Sequence, residues 1–260
     1  MTSPAPSPQS GTRPGPEASL DAAEVARFEA MASEWWDPNG TFRPLHQLGP
    51  ARLTFIRDEL VRHFGLTPGR PGPLNGLGIL DIGCGGGLIS EPLTRLGARV
   101  TGIDPGDENI AAARAHAARQ GLAIDYGVAT VEDLAASGQR FDAVICLEVV
   151  EHVPDAGAFL KTCASLVRPG GLLVLSTINR TLKSYALAIV AAEYVLGWLP
   201  RGTHQWERFV TPDELGRHLA NAGLAPPRFM GLVYDPLRDR WSLDPDTGVN
   251  YLASAAKPSA

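Results

Sequence analysis

Cysteine is scarce in this 260-residue chain, and its three copies lack the spacing of a metal finger. Cys84, Cys146 and Cys163 each fall in an apolar segment and read as small core residues in a reducing compartment. Blocks of basic charge are also missing. The 23 Lys and Arg are scattered and outnumbered by 28 Asp and Glu, for a net charge of −5. That balance argues against nucleic acid as the main partner. The N-terminus has no apolar stretch of the kind a secretory signal needs, and too few arginines for a transit peptide. No internal repeat is visible. Residues 1–20 have almost no large apolar side chains, cannot offset their ordering entropy, and read as a disordered tail.

What remains is enough for a full core. Apolar residues make up 44% of the chain, which suits one large domain over residues 21–260. Its organising stretch is Leu80-Asp81-Ile82-Gly83-Cys84-Gly85-Gly86-Gly87. An apolar run ends in an acid, and glycines then fall at alternate positions. This predicts a buried strand, a tight turn and a helix start, with backbone open to a ligand. The next strand, Arg99 to Asp104, ends in a carboxylate 21 residues after Gly83, which can take both hydroxyls of a ribose.

Along the chain, Ser19 or Asp21 caps a helix through Ala32, with Val25, Phe28 and Met31 on one face. Trp35 and Trp36 precede a Pro-Asn-Gly turn and read either as core or as a lid over a site. A second helix is expected from Gly49 to Phe64, then a Pro/Gly-rich linker from Thr67 to Gly78. Strands and helices then alternate: a helix over 88–96, one over 108–119, a short strand over 123–127, a strand over 141–147, a helix over 156–167 and a strand over 172–178. This predicts an α/β fold with a doubly wound, mostly parallel seven-stranded sheet and its ligand at the strands' carboxyl ends. Residues 180–209 interrupt the rhythm with an apolar insertion. Its stretch 182–199 reads either as a buried helix or as an interfacial helix dipping into a membrane, and Glu193 argues against a spanning segment. Thr211-Pro-Asp-Glu214 starts another helix. Two late strands, Arg228 to Tyr234 and Asn250 to Ala255, are expected as a hairpin at the sheet edge.

The glycine pattern discriminates between cofactors. An acid two residues before the first glycine would disturb a diphosphate but favours the cationic amino end of S-adenosylmethionine. Asp81, Gly83, Gly85, Gly87 and Asp104 are therefore read as binding that cofactor rather than NAD.

These motifs resemble the class I S-adenosylmethionine-dependent methyltransferases. From about Phe28 to Ala255 the chain is similar to the O-methyltransferases of ubiquinone biosynthesis. The similarity is carried by Trp35-Trp36-Asp37, Phe42-x-Pro44-Leu45-His46, the glycine stretch, Glu148-x-x-Glu151-His152-Val153-Pro154, Pro169-Gly170-Gly171, Ser176-Thr177-Ile178-Asn179-Arg180 and Gly202-Thr203-His204. Asn250-Tyr251 also fits. The resemblance implies that Leu147 lines the cofactor pocket, that Arg52 reaches the methionine carboxylate, and that Glu132 and Asp133 contact adenine.

Glu148, Glu151 and His152 follow the strand over 141–147 and emerge beside the cofactor. On a helical turn, spacings of three and four would bring them together. Two carboxylates and an imidazole suit Mg²⁺ or a similar divalent cation, and the resemblance implies a metal there too. A metal on adjacent catechol oxygens would lower the pKa of the acceptor; alternatively His152 is the general base. The resemblance further implies a polyprenylated phenol or quinol as acceptor, a membrane surface met through residues 181–199, other enzymes of the same pathway as partners, and a cytoplasmic place on the inner face of the cytoplasmic membrane. The competing readings are a methyltransferase for soluble phenols and a non-catalytic, membrane-bound scaffold.

Overall fold

The computed structural model describes residues 21–67, 69, 71–185 and 206–259. The expected tail over 1–20 and most of the insertion, residues 186–205, lie outside the described residues. At the near end of the insertion only one short turn is described, α7 (Leu182–Ser184), capped by Thr181.

Eight strands form one sheet: β1 (Gly78–Ile82), β2 (Arg99–Asp104), β3 (Asp125–Val128), β4 (Phe141–Leu147), β5 (Val167–Ile178), β6 (Arg228–Asp235), β7 (Arg240–Asp244) and β8 (Asn250–Ala256). Their order is β3-β2-β1-β4-β5-β8-β6-β7. The first five pair in parallel and the last three are antiparallel. The sheet is thus the predicted doubly wound type, with eight strands rather than seven. The late hairpin differs too. β6 and β8 do pair, but β8 is inserted between β5 and β6, and the connection between them supplies β7, which is the true edge. β5 begins at Val167, five residues ahead of the expected start of its strand, and its pairing with β4 shifts register between Phe141 and Ala143. Gly170, in this added stretch of β5, sits at φ +73°.

Both faces of the parallel half are buried, so its strands are apolar at successive positions. Leu80, Ile82, Val144 and Cys146 face one side, with Phe159 and Leu160 of α6 (Ala156–Leu166) and Leu215 and Leu219 of α8 (Pro212–Asn221). Ile79, Ala143 and Ile145 face the other, with Phe55, Ile56 and Leu60 of α2 (Arg43–Phe64). All three cysteines are free and buried.

Helix α2 begins at Arg43, six residues ahead of the expected Gly49. Pro44 occupies its first turn, where no intrahelical N–H bond is forfeited, and Pro50 lies within it. α1 (Ala22–Glu29) starts at Asp21, whose side chain accepts from the Ala23 N–H. α3 (Ser90–Arg95), α4 (Asp107–Arg119) and α5 (Val131–Ala136) complete the parallel half. The connections from β1, β2 and β4 all leave the carboxyl edge of the sheet, and the site assembles there.

Candidate active site

The turn after β1 is closely packed. Gly83, Gly85 and Gly87 take φ +67°, +51° and +92°, conformations costly for a residue with a Cβ. A Cβ on Gly83 would approach Val149 Cγ2 to 2.6 Å, and one on Gly85 or Gly86 would run into the ring of Trp35. Trp35 therefore lies directly on the glycine loop. It stacks on Phe42 at 3.8 Å and donates from Nε1 to Asn109 Oδ1 at 2.8 Å. Trp36 donates from Nε1 to the Gly86 carbonyl at 2.9 Å and stacks on His116 at 3.5 Å. Both rings pack on the loop; Trp35 is at once buried and part of the cavity wall, whereas Trp36 is not among the lining residues.

Two acids stand behind the loop. Burial pushes the Asp81 carboxyl up to about 7, although the Ser90 hydroxyl donates to Oδ2 at 2.6 Å. Asp104 accepts from the N–H of Gly85 at 3.0 Å and of Gly106 at 2.9 Å, and from Asn109 Nδ2 at 3.0 Å. Burial is the largest influence on Asp104 and raises its pKa. The acid at the end of β2 thus ties the glycine loop to the start of α4.

The opposite wall follows β4. Glu148 does not lie on a helical turn, as its spacing suggested. It takes φ +54°, and the 3₁₀ turn Val150–His152 comes after it. Its Oε1 accepts from the Ser176 hydroxyl at 2.6 Å and faces Arg52 Nη2 at 2.9 Å. Arg52 is only 4% exposed, and its Nε has no hydrogen-bond partner. Glu151 is buried, accepts from Thr177 Oγ1 at 2.8 Å and leaves Oε1 unpartnered. Burial, with the Glu148 charge beside it, pushes the Glu151 carboxyl up to about 7. His152 Nδ1 faces Glu24 Oε2 of α1 at 3.0 Å. Burial would lower the His152 pKa, but Glu24 and the charges of Glu151 and Glu148 more than offset it, and the net shift is upward.

These walls enclose a cavity of about 630 Å³. Asp81, Gly83, Gly85, Asp104 and Leu147 line one part; Arg52, Glu148, Glu151 and His152 converge in another; Phe28, Leu45, Leu88 and Leu232 are among the apolar remainder. Gly87 instead receives Tyr126 against its bare Cα. Glu132 and Asp133 lie on the first turn of α5, outside the lining residues, and Asp133 is engaged in a capping box with Thr130. Sequence reasoning overlooked Glu24, Asn109, Ser176 and Thr177. The last two stood inside a motif that was noted, but no pattern marked the first two.

The expected metal cluster is not assembled. Among the described residues no three His, Cys, Asp or Glu side chains gather within reach of one cation. Glu148 is directed to Arg52 and Ser176, Glu151 to Thr177, and His152 to Glu24. The donor types suit Mg²⁺, but their present partners hold them apart, so the residues as arranged do not fit the ion.

A glycine-loop pocket at the carboxyl edge of a doubly wound sheet, closed by two acids, defines an S-adenosylmethionine-dependent methyltransferase. A family described as "Methyltransferase domain" matches residues 51–226. Among solved structures, magnesium protoporphyrin IX methyltransferase from Synechocystis PCC 6803, with bound SAH, shares this fold at TM-score 0.61. It is 21% identical, covering 90% of this chain and 95% of that one. Curated relatives are far closer in sequence. The ubiquinone biosynthesis O-methyltransferase of Methylobacterium sp. (strain 4-46) is 56% identical over 242 residues, 93% of this chain and 97% of its own. That of Parvibaculum lavamentivorans is 55% identical over 239 residues, 92% and 94%. The chain belongs to the family of ubiquinone biosynthesis O-methyltransferases.

Proposed function

We propose that this enzyme transfers the methyl group of S-adenosylmethionine to a phenolic oxygen of a polyprenylated catechol or quinol intermediate of ubiquinone biosynthesis. One observation carries the proposal: a single cavity joins the glycine loop to a half-buried imidazole across otherwise largely apolar walls, in a chain 56% identical to a relative of that name.

The cofactor's ribose and adenosyl portion would lie along Gly83, Gly85, Asp104 and Leu147. Its methionine carboxylate would meet the unpartnered Arg52 Nε. A phenol with a pKa near 10 is mostly neutral at pH 7 and a weak nucleophile. His152 lies in the polar corner, and its raised pKa narrows the gap to such a phenol. In the step, the phenol O–H proton passes to the imidazole and the oxygen bonds to the methyl carbon. The carbon–sulfur bond breaks and its electron pair stays on sulfur, turning the sulfonium into a neutral thioether. Much of the acceleration comes from holding oxygen, carbon and sulfur in line.

A divalent cation at Glu148, Glu151 and His152 is supported by one feature, the unpartnered Glu151 Oε1. It is opposed by the Arg52 and Glu24 contacts, and no part of the step above depends on it. A polyprenyl acceptor resides in a bilayer, so the enzyme would work on the inner face of the cytoplasmic membrane, meeting lipid through residues 181–199 and neighbouring pathway enzymes there. Leu182 is 84% exposed and Tyr185 47%, which suits such a contact. No helix among the described residues is long and apolar enough to cross a membrane.

The test is a methyl-transfer assay of the purified chain with S-adenosylmethionine and paired acceptors, a prenylated catechol and its tail-less analogue, read by mass spectrometry. Strong preference for the prenylated acceptor is expected. Equal rates would support the soluble-phenol reading instead, and no product from either would overturn methyl transfer to catechols.

A further inference from the structure

Beyond its polar corner the cavity runs on over the antiparallel part of the sheet, on the side packed against α2. The strand register sets a row there. Ile178 of β5, Asn250 of β8 and Leu232 of β6 lie side by side. All three line the cavity, together with Leu45 and Leu48 of α2. Asn250 is thus an amide set between two aliphatic neighbours, and it is only 9% exposed. Other polar side chains of the wall are engaged: Asn109 with Trp35 and Asp104, Thr41 with Glu34, Lys183 with Asp246. The Asn250 side chain makes no hydrogen bond among the described residues, yet its amide is not sealed off from the cavity.

The chain is fixed where it delivers this side chain. The Asn179 N–H donates to the Val249 carbonyl at 2.7 Å, Asn179 Nδ2 to the Thr247 carbonyl at 2.9 Å and Thr181 Oγ1 to the Gly248 carbonyl at 2.7 Å. On the other side, the Tyr251 hydroxyl donates to the Val210 carbonyl at 2.8 Å. A buried amide normally has a partner, and one without a partner costs free energy. Pockets orient small molecules with a few such polar groups placed in apolar walls. An amide offers a donor and an acceptor to a neutral oxygen substituent. Strands lie about 4.8 Å apart, so Asn250 is about 10 Å across the sheet from β4, whose end carries Leu147 beside the glycine loop. One aromatic ring and the side chains on either side of it span such a gap. We propose that Asn250 is a specificity-determining residue: its amide hydrogen-bonds a ring oxygen of the acceptor other than the one methylated. This inference rests on the methyl-transfer reading above. Ile178 and Leu232 keep water from the amide, so an acceptor lacking that oxygen leaves it unpaired and is discriminated against.

The experiment measures acceptor binding rather than turnover. Full-length wild type, Asn250→Leu and Asn250→Ala are saturated with S-adenosylhomocysteine, which has no methyl group to give. Calorimetry then reads the Kd of a short-chain prenylated catechol and of the matching phenol that lacks the second hydroxyl. Thermal melts and affinity for S-adenosylhomocysteine check that each variant is folded. Wild type should bind the catechol more tightly than the phenol. In both variants that preference should shrink about 3- to 10-fold, through weaker catechol binding, with phenol affinity within a few-fold of wild type. An unchanged preference, equal weakening toward both acceptors, or loss of S-adenosylhomocysteine binding by both variants would each overturn the assignment. So would a wild type that binds the two acceptors equally. A wild type that binds neither is a different failure: it removes the catechol reading, and this assignment with it.

Discussion

Arg52 and Glu148 meet at 2.9 Å beneath the cavity, a side chain from the middle of α2 against a carboxylate at the end of β4. Glu148 is one of two non-glycine residues at positive φ among the described residues. Such a conformation costs on the order of 1–3 kcal/mol and persists only where its surroundings enforce it. Here the Glu148 N–H donates to the Ser176 carbonyl at 3.0 Å while Ser176 Oγ donates to its carboxylate. The strained residue is held by its neighbour in the sheet and neutralised by the arginine.

Arg52→Ala should therefore have two separable effects. Removing one member of a buried ion pair typically costs about 3–5 kcal/mol, and the lower end is expected because Glu148 is 19% exposed and can be rehydrated. Cofactor affinity should fall as well, by the loss of a charged hydrogen bond worth about 1.5–3 kcal/mol, roughly 10- to 100-fold in Kd. Thermal melts without cofactor read the first effect and calorimetry the second. A variant that melts lower yet binds S-adenosylmethionine normally would remove Arg52 from the cofactor site.

The glycine loop should be intolerant for steric as well as backbone reasons. Gly85→Ala adds a methyl against Trp35 at φ +51°, so loss of cofactor binding is expected along with at least 1–3 kcal/mol of stability. Gly138→Ala is the control. It imposes a comparable backbone strain at φ +77°, but its Cβ meets nothing within 4 Å. It should lower the melting temperature modestly and leave cofactor affinity intact.

Asp81 gives the fold a pH dependence of defined sign. Its pKa rises from 3.8 to about 7 on folding, through burial. The folded chain therefore binds the proton more tightly than the unfolded chain does. The stabilisation is fully present below about pH 4 and is lost as pH rises through about 7. Asp81→Asn, which cannot ionise, should flatten that decline. Relative to wild type, its stability should gain on the order of a few kcal/mol between pH 4 and 7. Urea melts across that range measure the difference; parallel curves for the two chains would contradict the buried, proton-holding Asp81.

Chelation separates the cofactor half of the site from the acceptor half. Apart from Arg52, which pairs with Glu148, the cofactor contacts share no side chain with Glu148, Glu151 and His152. S-Adenosylmethionine affinity by calorimetry should thus be the same with and without a strong chelator. A drop on chelation would place a cation in the cofactor pocket itself.

Much of the parallel half was legible because both its faces are buried. Phe141 to Leu147 is a strand over the range its apolar run suggested, and Gly83, Gly85 and Asp104 line one cavity at the carboxyl edge of the sheet. Misreadings clustered where local signals conflict. Gly49-Pro50 looked like a helix start, but tertiary packing of Leu48, Phe55 and Ile56 carries α2 through it. β7 was missed because Arg240-Trp-Ser-Leu-Asp244 is short, only half-buried and at the edge. Glu148 defeated a spacing argument because spacing assumes a helical backbone. Glu24 had no signal at all: a glutamate on an amphipathic helix looks solvated until the fold sets a histidine from the end of β4 against it.

Placing β8 between β5 and β6 has a consequence for how the molecule comes into being. Seven of its residues pair with β5 and five with β6, yet it is the last strand in chain order. During synthesis the parallel strands emerge first and present β5 as an open, apolar edge. That edge stays uncovered until residues 250–256 have cleared the ribosome. A nascent chain stalled after β7 would expose a pairing-competent strand, the kind of edge that invites association with other chains.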